Sequence, residues 1–514
     1  MTQSMNMVKS IVIMIIFSIG SRCLGFIREM LIASRFGSGM ETDTFFIALT
    51  AINLVTTMIY QCLNTTMIPV LSEIENKELS KNNYTNKLLN NILLFSIILV
   101  ILGWFISPLI IKVLAAGFKG EQFYLAIKLM RIGLPAIILA VFIGIYRGYL
   151  QSELMFTEFS ASLFPYNLTY IFFLIFLSGY FGITGLMVTS VIAVGSQIVI
   201  QLPGLKKVGY QYRFILDFKD KYIKKLLLLS IPVIISVAVN DLNMVIDKSL
   251  ASTLIEGSIS ALNYSSRLNS LVLTVFITAI ATVLFPMLTS EVTTKNHEGF
   301  KRLISNGVNV ILLITIPATI GIIVLAQPIV KIAFERGAFD PVATKMTSAA
   351  LLFYSLGLVG MALRMFLERA YYSLQDMKTP MINGIITVGL NITLNFILIR
   401  YMEHRGLALA TSIAITITTV FLFYRLTRKI GSIGGLNIVK CGIKSLGASL
   451  VMGIFVYLLY NFLNAKVLGN TLFELLVLLI TVAVGAGVYF VIVYLLKVDE
   501  ISWFIKLFKK KLYR

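Results

Sequence analysis

The sequence predicts an all-α polytopic membrane protein that crosses the bilayer about fourteen times. Hydrophobic residues make up 58% of the 514-residue chain and charged residues 13%, against roughly 45–50% and about 25% in soluble domains. The mean hydropathy is +0.89, and the apolar residues form runs close to the roughly 20 residues that a spanning helix needs. Strands of a transmembrane barrel would be about ten residues long and alternate in polarity, so the runs predict helices.

Fourteen apolar segments qualify as candidate spans. In the first span, the apolar stretch after Lys9 is not closed by a small-x-small cleavage motif and continues through Arg28. We therefore interpret this span as a retained helix rather than a signal peptide. The predicted spans are 8–33, 41–72, 88–116, 122–149, 155–179, 182–203, 222–250, 258–290, 301–333, 343–374, 380–400, 405–428, 437–462 and 471–496.

The distribution of basic residues predicts the orientation in the membrane. Lys and Arg concentrate in the loops 203–225 and 425–440 and in the tail after Trp503, whereas 179–182 and 251–257 contain none. Both termini are therefore expected in the cytoplasm, and the tail either anchors the last helix or lies on anionic lipid. The net charge of +20 is explained in this way and predicts no nucleic-acid partner. Three cysteines and two histidines give neither a disulfide framework nor a metal cluster.

An internal repeat divides the predicted helices into two equivalent sets. Residues 147–155 align with 369–377 at an offset of 222, and 68–73 align with 285–291 at an offset of 217 with one extra residue in the second copy. Six spans per copy give both copies one orientation, which implies an axis along the membrane normal and a substrate site near mid-membrane. The expected organisation is an N-terminal lobe (1–215), a C-terminal lobe (216–430), and two appended helices with the basic tail (431–514).

Charged residues inside the spans are the main functional signal. An arginine at the centre of a bilayer costs roughly 2.5–3.5 kcal/mol on insertion scales, so such residues face a bundle interior or a wet cavity. Arg22 and Arg28 lie about 9 Å apart along one helix, and guanidinium groups bind phosphate oxygens in a bidentate way. Structural ion pairing or snorkelling is the alternative. The candidates are Arg22, Arg28, Glu29, Asp43, Arg267 and Arg364.

A second group of polar residues offers oxygen ligands rather than cations. Asp247 lies in the seventh span, Asn391 and Asn395 lie four residues apart in the eleventh, and Thr411 lies in the twelfth. Oxygen atoms of these types suit a hard cation such as Na⁺. From spacing alone, a polar contact between helices explains them slightly better.

Several motifs resemble the MurJ (MviN) family of the multidrug/oligosaccharidyl-lipid/polysaccharide exporter superfamily. They are Ser21-Arg-Cys-Leu-Gly-Phe-Ile-Arg-Glu29, Ala33-Ser-Arg-Phe-Gly-Ser-Gly39, Thr42-Asp-Thr-Phe-Phe46, Phe334-Glu-Arg-Gly-Ala-Phe-Asp340, Arg369-Ala-Tyr-Tyr-Ser-Leu-Gln-Asp-Met-Lys-Thr-Pro380 and Gly406-Leu-Ala-Leu-Ala-Thr-Ser412. The resemblance covers the whole chain. It implies two six-helix lobes, two further helices whose groove accepts a lipid tail, and transport of lipid II, the undecaprenyl-diphosphate-linked peptidoglycan precursor.

The resemblance also implies roles for individual residues. Arg22, Arg28, Asp43 and Arg267 fall on positions that the family uses in its central cavity. Asp247, Asn391, Asn395 and Thr411, with the backbone carbonyl of Leu407, fall where some members bind Na⁺. Two positions depart from the pattern: Thr56 replaces an arginine of the second helix, and Ser270 replaces a glutamate.

The resulting prediction is an alternating-access flippase for lipid II, with membrane lipids as its surroundings and Na⁺ as a candidate coupling ion. No GxxxxGK[ST] motif is present, so the chain is not expected to hydrolyse ATP. Three alternatives stay open: a flippase for another undecaprenyl-diphosphate-linked glycan, a cation-coupled multidrug exporter, and a scaffold that recruits cell-wall synthesis proteins. An enzyme is not expected, because no nucleophile–base pair lies in a span.

Overall fold

The computed structural model describes residues 2–77, 79–274, 278–465 and 471–497. These residues form helices and no strand. The helices are α1 (Thr2–Phe36), α2 (Met40–Asn76), α3 (Lys81–Leu114), α4 (Gly120–Gly133), α5 (Ala136–Ser152), α6 (Phe156–Ala161), α7 (Leu163–Phe176), α8 (Ser178–Lys207), α9 (Lys221–Ala251), α10 (Ser258–Val272), α11 (Thr278–Thr293), α12 (His297–Phe334), α13 (Pro341–Ser355), α14 (Leu358–Ser373), α15 (Lys378–Met402), α16 (His404–Ile430), α17 (Gly435–Asn464) and α18 (Thr471–Leu495).

These helices are consistent with the fourteen predicted spans, because four spans are each divided into two helices. The pairs are α4 with α5, α6 with α7, α10 with α11, and α13 with α14. Pro135 lies in the first of these breaks and has no N–H to continue the hydrogen-bond ladder, and α13 and α14 are bent by 47°. By length and composition, eight described helices qualify as membrane spans, or nine with that bent pair. The basic tail lies outside the described residues.

The chain forms two compact units, and the first contains residues 1–260 and 336–340. Its core lies among α2, α3, α5, α8 and the start of α9, where Met67, Leu88 and Ile145 are fully buried. Gly144 and Gly148 are one helical turn apart on α5 and lie against Leu63 and Met67 of α2. Small residues at this spacing let two membrane helices approach closely.

The second unit contains residues 261–335 and 341–514. Phe366, Leu422 and Ile304 form its main core, and a separate cluster, which includes Met452 and Tyr489, packs α17 and α18 against α12. The Tyr489 hydroxyl donates to the Leu313 carbonyl at 2.9 Å. This bond ties α18 to α12.

The surface of several helices is apolar over long stretches. On α3, the exposed residues from Leu94 onward include Phe95, Ile101 and Phe105, which is 74% exposed. A soluble protein rarely presents so large an apolar surface. This face of α3 is therefore the one that contacts lipid tails.

Candidate functional site

Arg28 is held by groups from both α1 and α7. Its Nη2 donates to Glu29 Oε1 at 2.7 Å and its Nη1 to Asn167 Oδ1 at 3.3 Å. The guanidinium carbon lies 5.4 Å from the ring centre of Tyr166 and 5.0 Å from that of Tyr170. An ion pair, an amide and two aromatic faces together stabilise a cation within an apolar span. We call these four partners the arginine cage.

The α7 part of the cage follows from helical spacing. Tyr166 and Tyr170 are four residues apart and so share one face of α7, next to Asn167. The Asn167 amide also donates to the Ser21 carbonyl at 3.1 Å, which joins α7 to α1. Sequence reasoning missed these residues, although Asn167 is the one side-chain amide between Leu163 and Phe176 and could have been noticed.

Arg22 lies on α1 six residues before Arg28, and its side chain is exposed. The spacing places it about 9 Å from Arg28 along the helix axis, as predicted from the sequence. Arg28, in contrast, is partly buried.

Asp43 is 2% exposed, and its carboxylate accepts hydrogen bonds at the start of α10. Oδ2 accepts from the Gly257 N–H at 2.8 Å, and Oδ1 accepts from the Ser260 N–H at 2.7 Å and the Ser260 hydroxyl at 2.5 Å. A carboxylate here satisfies backbone N–H groups that lack helical partners and complements the helix dipole. The structure thus places Asp43 as a cap that ties α2 to α10.

Further backbone contacts surround this cap. The Ser38 hydroxyl donates to the Gly257 carbonyl at 3.1 Å, the Ala338 N–H donates to the Ser34 carbonyl at 2.8 Å, and the Gly117 N–H donates to the Ser252 hydroxyl at 3.0 Å. All of these residues lie at helix ends or in the adjoining loops of the first unit. We call this set the helix-end cluster: Ser34, Gly37, Ser38, Asp43, Gly117, Ser252, Gly257, Ser260, Gly337 and Ala338.

Two of the predicted arginines lie in the second unit. Arg267 is exposed on α10. Arg364, on α14, donates to Glu368 Oε1 at 2.8 Å and to the Thr387 hydroxyl at 3.4 Å. Arg364 thus belongs to an i,i+4 ion pair, and Glu368 is its local partner.

The structure brings together the predicted oxygen ligands of α15 and α16. Asn395 Nδ2 donates to Asn391 Oδ1 at 2.8 Å, Asn391 Nδ2 donates to the Thr411 hydroxyl at 3.1 Å, and that hydroxyl donates to the Leu407 carbonyl at 3.1 Å. Asn391, Asn395 and Leu407 are each at most 1% exposed. The described residues contain no group of three or more His, Cys, Asp or Glu side chains suited to a metal.

Asp247 lies on α9 in the first unit and is half-buried. The neighbouring Lys248 donates to the Thr50 hydroxyl and, at 3.4 Å, to the Phe46 carbonyl. The sequence shows Lys248 as a charge inside a predicted span, but it does not show these partners on α2. They provide this lysine with polar contacts inside an apolar segment.

Comparison with known proteins decides the family. The family described as lipid II flippase MurJ matches residues 32–478. The chain belongs to the MurJ family. It is 30% identical over 512 residues to the probable lipid II flippase MurJ of Rickettsia prowazekii (strain Madrid E), with 96% of this chain and 98% of the relative covered. The MurJ resemblance of the sequence motifs is thereby confirmed.

Solved structures agree with this assignment. A structure described as lipid II flippase MurJ in an inward closed conformation has a TM-score of 0.79 and 27% identity, and covers 98% of this chain and 100% of its own. An inward-facing multidrug resistance MATE family transporter of the MOP superfamily has a TM-score of 0.69 at 15% identity over 82% of this chain and 98% of its own. The second likeness shows the fold alone. The predicted all-α polytopic fold is confirmed, and MurJ family membership makes the chain a multi-pass inner-membrane protein.

Proposed function

We propose that this protein flips lipid II from the inner to the outer leaflet of the bacterial plasma membrane by alternating access. The observation that carries the proposal is the MurJ family match over residues 32–478, supported by near full-length similarity to a curated relative named as a probable lipid II flippase. The protein acts as a transporter rather than an enzyme. The substrate partner is the undecaprenyl-diphosphate-linked head group.

Arg28 is the residue best prepared to hold a diphosphate. A guanidinium has five N–H donors, and Glu29 and Asn167 each accept one of them. The remaining donors are oriented by the arginine cage before any ligand arrives, which lowers the entropy lost on binding. Arg22 adds a second cation on α1, and the family resemblance adds Arg267.

The helix-end cluster supports a gating role in the same proposal. Its contacts at one end of the first unit include a helix cap and backbone hydrogen bonds. Such contacts can break and re-form in a transport cycle, since each neutral hydrogen bond contributes only about 0.5–1.5 kcal/mol and each bond to the Asp43 carboxylate about 1.5–3 kcal/mol. Release of the head group would require this cluster to part.

Na⁺ coupling is a finer part of the proposal. The amide, hydroxyl and carbonyl oxygens of Asn391, Asn395, Thr411 and Leu407 fit a hard monovalent cation, and the family resemblance alone adds the Asp247 carboxylate. Bound Na⁺ biases the cycle only through different affinities for the two states. NaCl should therefore raise the thermal stability of the purified protein relative to KCl, and Asn395→Ala should abolish the difference. Equal stability in both salts would contradict the site.

The proposal includes an orientation in the membrane and a division of the chain into lobes. We assign 1–215 and 216–430 to two lobes that rock about a substrate, 431–514 to the lipid-tail groove and basic tail, and both termini to the cytoplasm. Cell-wall synthesis proteins are proposed as further partners. Membrane-impermeant labelling of Thr253→Cys in whole cells tests the orientation, because this exposed loop position should face outward.

A flippase for another undecaprenyl-diphosphate-linked glycan is the second candidate. Thr56 stands where the family has an arginine, and its buried hydroxyl donates to the Asn53 carbonyl at 3.3 Å. This position therefore offers no cation to the lipid II head group, and a different glycan would not need one there.

Complementation tests both candidates. The chain is expressed in a bacterium depleted of its own lipid II flippase, and growth and externally exposed lipid II are measured. Rescue of both supports lipid II, whereas stable expression without rescue favours another glycan. Rescue that survives the double change Arg28→Ala and Arg267→Ala would contradict the head-group mechanism and favour a scaffold. Tight binding of a cationic dye in place of a lipid diphosphate would favour a multidrug exporter.

A further inference from the structure

The segment that joins α8 to α9 lies in a fixed position along the beginning of α3. We call residues 210–219 the strap. Four of its backbone carbonyls accept hydrogen bonds of 2.8–3.2 Å from side-chain amides of α3. The pairs are Gln211 with Asn86, Arg213 and Ile215 with Asn90, and Asp217 with Asn91. Carbonyls of alternate residues thus point to α3, which is the pattern of an extended chain.

Side chains of the strap strengthen this attachment. Lys87 of α3 forms ion pairs with Asp217 of the strap at 2.9 Å and with Asp220, the residue that follows the strap, at 3.0 Å. The hydroxyls of Tyr210 and Tyr212 donate to the Oδ1 atoms of Asn86 and Asn90 at 2.7 and 2.9 Å. The strap therefore has a defined register on α3.

This register exposes one apolar face. Tyr212 is 53% exposed, Phe214 72%, Leu216 43% and Phe218 60%. Four large apolar side chains at every second residue would be unfavourable in contact with water alone. An apolar patch of this kind marks a surface that binds something.

The position of the strap along α3 indicates what covers this face. The lipid-facing surface of α3 begins at Leu94 and Phe95. Asn90 and Asn91, which hold the far end of the strap, lie three to five residues earlier, or about 4–8 Å along the helix. The head-group region on each side of the hydrocarbon is about 5–7 Å thick. The strap's apolar residues therefore lie at the level of the head groups.

The charges around the strap complement an anionic surface. Lys206, Lys207, Arg213, Lys219 and Lys224 are exposed, and none of them pairs with a carboxylate of the described residues. Both acidic residues of this region are already paired with Lys87. Basic residues beside a membrane helix attract anionic lipid by about 1 kcal/mol each.

We propose that the strap is a lipid-binding surface. Phe214, Leu216 and Phe218 insert into the head-group region of the leaflet at which α3 begins, and the neighbouring basic residues bind the phosphates of anionic lipids there. The proposed orientation makes this the cytoplasmic leaflet. The inference depends on the membrane-spanning fold and not on flippase activity, so the two can fail separately.

Tryptophan quenching tests the insertion. Trp104 and Trp503, the two tryptophans of the chain, are replaced by Phe, and a single tryptophan is introduced as Phe214→Trp. A matched control carries Asn83→Trp, an exposed position of α3 about 16 Å before Leu94. Both proteins are reconstituted in vesicles that contain lipids brominated near the head of the acyl chain. We expect these lipids to quench position 214 at least threefold more than position 83, and aqueous iodide to do the reverse.

Brominated phosphatidylglycerol and phosphatidylcholine, compared at equal mole fraction, test the preference for anionic lipid. Phosphatidylglycerol should quench position 214 at least twofold better, and this preference should disappear in Lys206→Gln/Lys207→Gln/Lys219→Gln. Equal quenching by the two lipids would overturn the electrostatic part. Two outcomes would overturn the insertion. In the first, iodide quenches position 214 and brominated lipid does not. In the second, neither quenches it, because a second copy or another protein covers the strap. Gel filtration confirms that each variant is folded.

Discussion

At the scale of single residues, the structure separates two kinds of intramembrane charge. Arg28 is fixed by the arginine cage, whereas the Asp43 carboxylate accepts hydrogen bonds at the start of α10. The contacts of Asp43 hold two helices together, whereas a ligand-binding role for Arg28 is our proposal. Sequence reasoning found both because charges stand out in apolar spans, but it could not assign different roles, because those depend on contacts with residues far along the chain.

Arg28 should not be replaceable by lysine. Lysine keeps the charge but has no planar fork to engage Glu29, Asn167 and a phosphate together. We expect Arg28→Ala to abolish complementation and Arg28→Lys to lower lipid II externalisation at least tenfold. Arg400→Ala is the matched control, since Arg400 is an exposed arginine at the end of α15. Near-normal externalisation by Arg28→Lys would mean that charge alone suffices.

Removal of the Asp43 cap should favour an open helix-end cluster. Asp43→Ala leaves buried N–H groups of Gly257 and Ser260 without their acceptor, and helix caps contribute about 0.5–2 kcal/mol. The open population should therefore rise about 2- to 30-fold. The reporter is Ser258→Cys, a fully buried position, in a protein whose three native cysteines are replaced by alanine. Its labelling by an impermeant maleimide should accelerate, whereas labelling of exposed Thr253→Cys should not change. Unchanged labelling at position 258 would exclude a gating role for the cap.

At the scale of elements, the ends of the helices constrain the choice of residue more than the middles of the helices do. The middles pack through apolar contacts that many sequences could supply. The ends meet through backbone atoms, and here glycine is required where a side chain would overlap a carbonyl. A Cβ on Gly337 would lie 2.2 Å from the Ser34 carbonyl oxygen, and the φ of Gly337 is +61°. The sequence showed glycines in these loops but not the contacts that require them.

Gly337→Ala should disrupt the helix-end cluster. A left-handed backbone and a backbone overlap both oppose the added methyl group, and strain of this kind amounts to about 1–3 kcal/mol. The purified protein should unfold at a lower temperature in detergent than the parent. Gly39→Ala is the matched control, because its Cβ would meet nothing within 4 Å. Equal unfolding temperatures for the two variants would show that segment 336–340 can move away freely.

Asp376 should give the protein an acid-sensitive contact between helix ends. Although partial burial raises the pKa of its carboxyl, hydrogen bonds from Lys429 at 2.6 Å and from Thr379 lower it more, to about 2. A carboxyl group whose pKa is lowered by folding stabilises the folded state at pH values above its unfolded pKa of about 4. This stabilisation is lost as the pH falls toward 2. Asp376→Asn should therefore lower stability at neutral pH and flatten its decline between about pH 4 and 2. A variant whose decline matches the parent would show that other carboxylates dominate.

At the scale of the whole molecule, composition and apolar runs were enough to predict the all-α membrane fold. They could not locate every helix break. Pro135 signals the break between α4 and α5, but the 47° bend between α13 and α14 occurs at Leu356 and Gly357 without a proline. Attachment of the strap was also beyond sequence reasoning, because α3 binds the strap mainly through carbonyls that every residue possesses. The Asn-rich start of α3 was the available signal.

The proposed function makes a prediction about membrane voltage. Over one complete cycle the carrier returns to its starting state, so the charge transferred is that of the lipid. Two diphosphate charges crossing 100 mV correspond to roughly 4–5 kcal/mol. In proteoliposomes with an interior-negative potassium diffusion potential, labelled lipid II should accumulate in the outer leaflet at least tenfold over its zero-voltage ratio. Carriers inserted in either direction reach the same ratio, so mixed orientation does not obscure the result.

Two comparisons make this measurement decisive. Vesicles with Arg28→Ala protein should show no voltage-dependent redistribution, because flipping itself is lost. If the wild-type ratio does not respond to voltage but responds to a Na⁺ gradient, an ion compensates the charge of the lipid and the oxygen ligands around Asn391 become the coupling site. If the wild-type ratio responds to neither voltage nor a Na⁺ gradient, the diphosphate is not what moves across the membrane, and the arginine cage serves stability rather than transport.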